Sequence, residues 1–461
     1  MNLLLLVGAL LAPQSEWDAA LARRLEAAVE RGLPKGAAAG IVVADLTDGR
    51  VLWEREPQRP LAPASNAKLF TTAAALWRLG KDFEFQTRVS VAGGALHVSG
   101  GGDPNLSGRF HDGDPTAVFK GWATRLKQAK IERVENIVLH DAWGAPPTVH
   151  PDWAQADPGA WWRAPVAAFS LNDNCVDVTL HPAAKAGLPA TVALSPDTTF
   201  VRVVNKTVTV EKIERGQEAI AAVQAGAIVV SRQVGARGPP PSWSIAIDDP
   251  AMYFGTVLSE TLQREGIAVT GKIVLTADPP PAGEPLIVTR SALAPALRVA
   301  NARSQNLYAE LLARHVAVAA SRPATFEEAA AAVNAFAASV GAKETRLADG
   351  SGLSPHSRTT ARDVVTLLVA MRRRPDWKIF DDSLAVSGQE GTTLRNRMRQ
   401  PALAGRVHAK TGTIERVASL SGYVRTAGGS EIAFSILING HRDLAAAHRL
   451  MDSICEAIVE H

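Results

Sequence analysis

Apolar residues recur along this chain with two different periods, and the changes between them mark its elements. From Trp17 to Arg31 the spacing is helical: Leu21, Leu25 and Val29 fall on one face, and Ser15 precedes the run. Gly40-Ile41-Val42-Val43-Ala44-Asp45-Leu46 and Val51-Leu52-Trp53-Glu54 then read as two strands, and Thr47-Asp48-Gly49-Arg50 between them carries hairpin chemistry. The run from Pro63 to Leu76 predicts a helix that starts near Ser65. At the far end, Arg406–Thr413, Ala418–Val424 and Glu431–Asn439 read as three strands. Gly422 interrupts the second, and Thr426–Ser430 separates the last two. Leu444, Ala447, Leu450, Met451, Ile454 and Ile458 return to helical spacing, a face for packing onto a sheet.

Two strands near the start and three near the end predict a five-stranded antiparallel sheet flanked by terminal helices, an α+β arrangement. The stretch between the Ser65 helix and Ser304 is far longer than a loop requires. It holds strand patterns of its own, such as Thr198–Val210, and proline clusters at residues 239–241 and 279–281 that read as rigid loops. The expected organisation is an export signal over 1–15, a discontinuous domain over 16–85 and 289–461, and a β-rich insertion over 86–288 with room for two subdomains.

Composition changes this picture little. The chain has 461 residues, 46% of them hydrophobic, which is enough for a large core. Its net charge of +3 comes without a polybasic run or a stacking-aromatic pattern, so a nucleic-acid partner is not expected. Leu3–Ala12 is apolar and too short to span a bilayer; it resembles the core of a signal peptide, and the acidic C-terminal end argues against a membrane anchor there. The two cysteines, Cys175 and Cys455, are expected as buried free thiols. The 11 histidines are dispersed, with no H-E-x-x-H or paired C-x-x-C spacing, so neither a metal nor any other cofactor is expected.

Three short signatures carry the chemistry. Ser65-Asn66-Ala67-Lys68 puts a hydroxyl at a helix start and an amine one turn later on the same face. Ser304-Gln305-Asn306 lies in a second helical stretch, and Lys410-Thr411-Gly412-Thr413 lies in a strand. Singly each has a bland reading: an N-cap serine, a solvated helix face, a turn between strands. In this order they supply an activated hydroxyl, proton-shuttling amines, and donors for a carboxylate and an oxyanion, which together suit acyl transfer.

The set S-x-x-K, S-x-N, K-T-G resembles the penicillin-recognising serine enzymes. Gly101-Gly102-Asp103-Pro104-Asn105-Leu106, Asn172-Asp173-Asn174-Cys175-Val176-Asp177-Val178, Asp248-Asp249-Pro250 and Asp349-Gly350-Ser351-Gly352-Leu353-Ser354 narrow the resemblance. They are similar to elements of the low-molecular-mass class C penicillin-binding proteins, the D-alanyl-D-alanine carboxypeptidase/endopeptidases of peptidase family S13. The resemblance runs from about residue 16 to 461.

That resemblance implies a serine β-lactamase-like fold and an exported, periplasmic enzyme. Peptidoglycan stem peptides would be its substrates, and β-lactams its covalent inhibitors. It implies Ser65 as nucleophile, Lys68 as its base, Ser304 as proton relay and Asn306 as support. Lys410, Thr411 and Thr413 would grip a carboxylate, and Gly412 would let substrate lie along the strand. The backbone amides of Ser65 and Thr413 would form the oxyanion hole. Arg397, after Gly391-Thr392-Thr393-Leu394, is expected to touch the substrate side chain, and Asp173 to meet a side-chain amine. The chain departs from the pattern at Gln305, where many relatives carry Asp, and at Asn172, where some carry an acid. A β-lactamase is the main alternative. A class A enzyme should supply E-x-x-L-N, which is absent, and a class C enzyme Y-x-N where this chain has Ser304-Gln305-Asn306. A non-catalytic β-lactam- or wall-binding module is the other.

Overall fold

A computed structural model describes residues 11–144, 146–153 and 157–461, with side chains from Asp18 onward. The expected export signal falls largely outside these residues, and the first described helix is Leu11–Gly32. The chain forms two units, one of Met1–Asp82 with Ala294–His461 and the other Phe83–Leu293.

The first unit is built on an antiparallel sheet of six strands. Their order is Ala385–Val386, Val407–Ile414, Val417–Arg425, Glu431–Asn439, Ala38–Asp45 and Val51–Arg55. Five of these are the strands expected from the sequence; the sixth, only two residues long, is too short to show an alternating pattern. Gly422, read as an interruption, is a working part of its strand. A Cβ there would meet the His408 carbonyl oxygen at 2.1 Å, so glycine lets the Lys410 strand pair closely.

One face of the sheet is covered by the terminal helices Leu11–Gly32 and Leu444–Val459. Leu21, Leu25 and Val29 from the first, with Leu450, Met451, Ile454 and Ile458 from the second, bury against Ile41, Val43, Phe434, Ile436 and Ile438. These are the helical-period positions seen in the sequence, and their burial is what orders the two helices against the strands. The terminal helix is N-capped by Asp443, which accepts the Ala446 N–H at 3.0 Å. The helix Ala361–Arg372 packs on the central strands, and Ala67–Leu79 packs with Asn306–Ala319 and Phe326–Ser339 in a helical layer. The 3-10 turn Ala64–Asn66, which leads into the helix Ala67–Leu79, rests on the strands Val407–Ile414 and Val417–Arg425.

The second unit is β-rich, with a mixed five-stranded sheet in the order Ile273–Thr276, Ile137–Asp141, Ala95–Gly100, Glu84–Ala92, Ile287–Ala292. The helices Ala117–Gln128 and Pro250–Arg264 contribute Phe119 and Phe254, whose rings meet edge to face at 4.9 Å in the core. Asp249 caps the second of these helices and Pro250 starts it, which explains the Asp248-Asp249-Pro250 run. Two three-stranded sheets and a two-stranded pair of Arg133–Val134 with Ala268–Val269 complete the described part of the unit, and both proline clusters lie outside helices and strands. Cys175 and Cys455 are buried free thiols, and burial pushes both well up from their ordinary range.

Candidate active site

Ser65 sits in the 3-10 turn Ala64–Asn66 immediately before the helix Ala67–Leu79. Ala64 has φ 47°, a left-handed conformation that few side chains tolerate, and it redirects the chain so that Ser65 leads the helix. Glycines make this possible. A Cβ on Gly352, itself at φ 76°, would lie 1.9 Å from the Ala64 carbonyl oxygen, and one on Gly412 would lie 2.9 Å from the Ser65 nitrogen. The strand carrying Lys410 and the loop carrying Gly352 therefore press directly on the backbone of Ser65.

Lys68, one turn on, is fully buried. Its ammonium donates to Ser65 Oγ at 2.9 Å, Asn306 Oδ1 at 2.6 Å and the Ser351 carbonyl at 2.7 Å. Ser65 makes no side-chain cap on its helix; its hydroxyl faces the lysine instead. Burial brings Lys68 down from 10.5 to about 7, against an upward pull from Asp349 and Glu310. The neutral amine is thus accessible near neutral pH, and it lies within proton-transfer distance of the hydroxyl.

Ser304 and Gln305 lie in the break between the helices Leu293–Ala302 and Asn306–Ala319, and Asn306 is the first residue of the second. The expectation of a continuous helical stretch across Ser304 is corrected here. Ser304 has φ 60°, incompatible with a right-handed helix, and the break presents its hydroxyl to Lys410 Nζ at 2.8 Å. Lys410 also donates to the Thr411 carbonyl at 2.7 Å and is fully buried. Its amine is held well below the ordinary lysine value, by burial first and by Lys68 second. Two ammonium groups in one dry pocket are costly together, which favours the loss of a proton from the pair.

Thr411 Oγ1 donates to Thr393 Oγ1 at 2.8 Å, and Thr393 is anchored by its N–H to the Ala302 carbonyl at 2.9 Å. Beyond its pairing with Ala385–Val386, the strand Val407–Ile414 has an open edge at Lys410–Ile414 among the described residues. Asn66 turns inward, donating to Ser421 Oγ at 2.7 Å, and Ser419 Oγ donates to the Pro63 carbonyl at 2.7 Å, so the sheet holds the Ser65 turn from below.

Ser65, Lys68, Ser304, Asn306, Lys410, Thr411 and Gly412 therefore meet in the first unit, and Thr413 follows Gly412 on the same strand. Arg397 has its guanidinium on Asp452 of the terminal helix, at 2.6 Å, and near the His448 carbonyl. Asp173 lies in the second unit, ion-paired with Arg109, in a turn where residues 172–174 all have positive φ. Gln305 is buried, between Ser304 and Asn306.

A hydroxyl with a depressed lysine beside it, a second serine–lysine pair and an open strand edge are the equipment of a serine acyl-transfer site. Comparison with known proteins gives the lineage. The model of the D-Ala-D-Ala carboxypeptidase 3 (S13) family matches residues 21–458. The chain belongs to that family. A D-alanyl-D-alanine carboxypeptidase of Actinomadura sp. (strain R39) is 30% identical, over 95% of this chain and 84% of the relative. The D-alanyl-D-alanine carboxypeptidase DacB of Haemophilus influenzae is 26% identical, over 89% of this chain and 87% of its own. The crystal structure of penicillin binding protein 4 (dacB) from Haemophilus influenzae shares the fold with a TM-score of 0.79 at 23% identity, covering 95% of this chain and 99% of that one. A second crystal structure of that protein is a complex with a β-lactam, with a TM-score of 0.74 at 23% identity and the same coverage.

Within this S13 architecture, four residues contribute to the site without a role assigned from the motifs. The Ser351 carbonyl holds Lys68, Glu310 and Asp349 lie behind it, and Thr393 holds Thr411. The Asp349–Ser354 run is the signal that points to the first group. It stands out as a motif, but Lys68 is held there by a backbone carbonyl, which no residue type announces.

Proposed function

We propose that this chain is a serine D-Ala-D-Ala carboxypeptidase and DD-endopeptidase that acts on peptidoglycan stem peptides through an acyl-enzyme on Ser65, and that β-lactams trap it at that stage. The observation that carries the reading is the Lys68 amine, fully buried, titrating near 7 and 2.9 Å from Ser65 Oγ.

In the proposed sequence, neutral Lys68 takes the Ser65 proton while Oγ attacks the carbonyl carbon of the penultimate D-alanine. The carbonyl oxygen becomes an oxyanion facing the amides of Ser65 and Thr413, each donor contributing about 3 kcal/mol in such sites. Collapse breaks the C–N bond, and the departing amine takes a proton relayed through Ser304 from the lysine pair. Water then releases the acyl group and restores Ser65. The close fit of Gly412 against the Ser65 nitrogen supports this oxyanion assignment.

Lys410 supports substrate capture in a particular way. Burial and Lys68 disfavour its charge. A substrate carboxylate supplies the missing counter-charge, so binding takes up a proton and creates the ion pair within the dry pocket. Thr411 and Thr413 add hydroxyl donors, and the open edge at Lys410–Ile414 suits an extended peptide that pairs as an added strand. Stem peptides lie outside the cytoplasmic membrane, so the reading includes export to the periplasm or its equivalent. The apolar stretch Leu3–Ala12 supports that, and none of the described helices is long and apolar enough to cross a membrane.

The test is incubation with cross-linked and uncross-linked muropeptides, with products identified by mass spectrometry. Release of D-alanine, and cleavage of the D-alanyl cross-link, are expected from the native chain and not from Ser65→Ala. Intact substrates in both cases would refute the proposal.

A further inference from the structure

Behind Lys68 lies a buried charge cluster that the reaction above does not use. Glu310 stands one turn after Asn306 on the helix Asn306–Ala319, and only 1% of it is exposed. Each of its oxygens accepts a backbone N–H from the same loop: Oε1 from Ser351 at 2.7 Å and Oε2 from Gly350 at 3.1 Å. The carbonyls of that loop face the catalytic helix. That of Ser351 accepts from Lys68 Nζ at 2.7 Å, and that of Gly350 accepts from Thr71 Oγ1 at 2.6 Å. Space is tight, since a Cβ on Gly350 would lie 2.7 Å from Ala313 Cβ. Asp349 braces the loop from within, with Oδ1 accepting the Gly352 N–H and Oδ2 the Ser354 N–H, both at 2.7 Å. Glu310 therefore fixes the Gly350–Ser351 peptide, and Asp349 holds the N–H of the next one, Ser351–Gly352, whose carbonyl holds the lysine.

Resting on the acyl-transfer reading, we propose that Glu310 is a positioning residue for the reaction: by holding the Ser351 N–H it sets the residue whose carbonyl aims the Lys68 amine at Ser65 Oγ. The charges facing it belong to Asp349 in the loop, to Lys68 on the catalytic helix with Lys410 beyond it on the strand, and to Arg314 on its own helix. Arg314 is buried, with its guanidinium 4.5 Å from the Phe326 ring centroid. Burial, and then Asp349, push the Glu310 carboxyl up to about 7, while the two loop hydrogen bonds and Arg314 draw it down. Glu310 in its charged form favours the protonated form of Lys68. Removing that charge therefore moves the Lys68 titration to lower pH.

The test is the rate of Ser65 acylation by a β-lactam with a masked carboxylate, followed from pH 5 to 9 for the native chain, Glu310→Gln and Glu310→Asp, with thermal melting to establish folding. Glu310→Gln leaves one loop N–H facing an amide NH2. Its high-pH plateau should fall about 10- to 100-fold, the scale of a small misplacement of a reacting group, and its acid limb should move to lower pH. Glu310→Asp keeps the charge but retracts it by a methylene, so its plateau should fall while its acid limb stays in place. A plateau at the native level in either folded variant, or an acid limb that stays put in Glu310→Gln, overturns the proposal. If Glu310→Gln does not fold, the plateau of Glu310→Asp decides alone. Native chain that forms no adduct at all would refute the acyl-transfer reading itself, whereas a native adduct with unchanged variants refutes only the role of Glu310.

Discussion

Lowering the pH should switch off acylation in a range set by one buried amine. Lys68 titrates near 7 because burial strips water from its ammonium form, and only the neutral form can take the Ser65 proton. With that value about half the chains carry neutral Lys68 at pH 7, and about one in a hundred at pH 5. The acylation rate should therefore fall about a hundredfold from pH 8.5 to pH 5, equivalent to about 2.7 kcal/mol of barrier. The sign follows from the direction of the shift: acid restores the proton that burial removes. An ordinary lysine would be neutral in about one chain in three thousand at pH 7, and the rate would keep climbing tenfold per pH unit through pH 9. The assay is stopped-flow acylation by a β-lactam ester, so that the carboxylate partner Lys410 does not enter the binding step. A flat profile between pH 5 and 8, or a rate still climbing steeply above pH 8.5, would refute Lys68 as the base.

Other consequences concern the walls of the site. Gly352→Ala forces a Cβ to within 1.9 Å of the Ala64 carbonyl at a positive φ. It should cost about 1–3 kcal/mol or more and lower both the melting temperature and penicillin labelling, and native values of both would contradict the packing described. Lys410→Ala should weaken carboxylate-bearing substrates far more than neutral esters in steady-state kinetics; equal losses on both would remove its grip. Arg397→Ala should lower stability by about 1 kcal/mol through the lost Asp452 pair, seen in urea unfolding, and leave acylation within about twofold. A large acylation loss in a stable Arg397→Ala variant would instead support the substrate contact expected from sequence.

The reach of the sequence differs between elements for physical reasons. The strands of the main sheet and both terminal helices are legible because one-sided burial imposes a period, as at Leu21, Leu25 and Val29. Ser65, Lys68 and Lys410 are legible because their chemistry depends on residue type and short spacing. Ser304 is legible as a residue and misread as structure. Its positive φ is held by packing and by the bond to Lys410, neither of which leaves a local trace. The strand Ala385–Val386 is too short to declare itself. Glu310 and the Ser351 N–H lie about forty positions apart and meet only because a loop folds over a helix. Arg397 shows the same limit: its partner Asp452 lies on the last helix, beyond any spacing rule.

Covalent acylation of Ser65 is the central step of this chemistry, and mass spectrometry of the intact chain after exposure to penicillin tests it most directly. The expected result is a native chain heavier by one β-lactam, with the added mass on the peptide that contains Ser65, and no added mass on Ser65→Ala. An unmodified native chain, or an adduct that persists in Ser65→Ala, would contradict it.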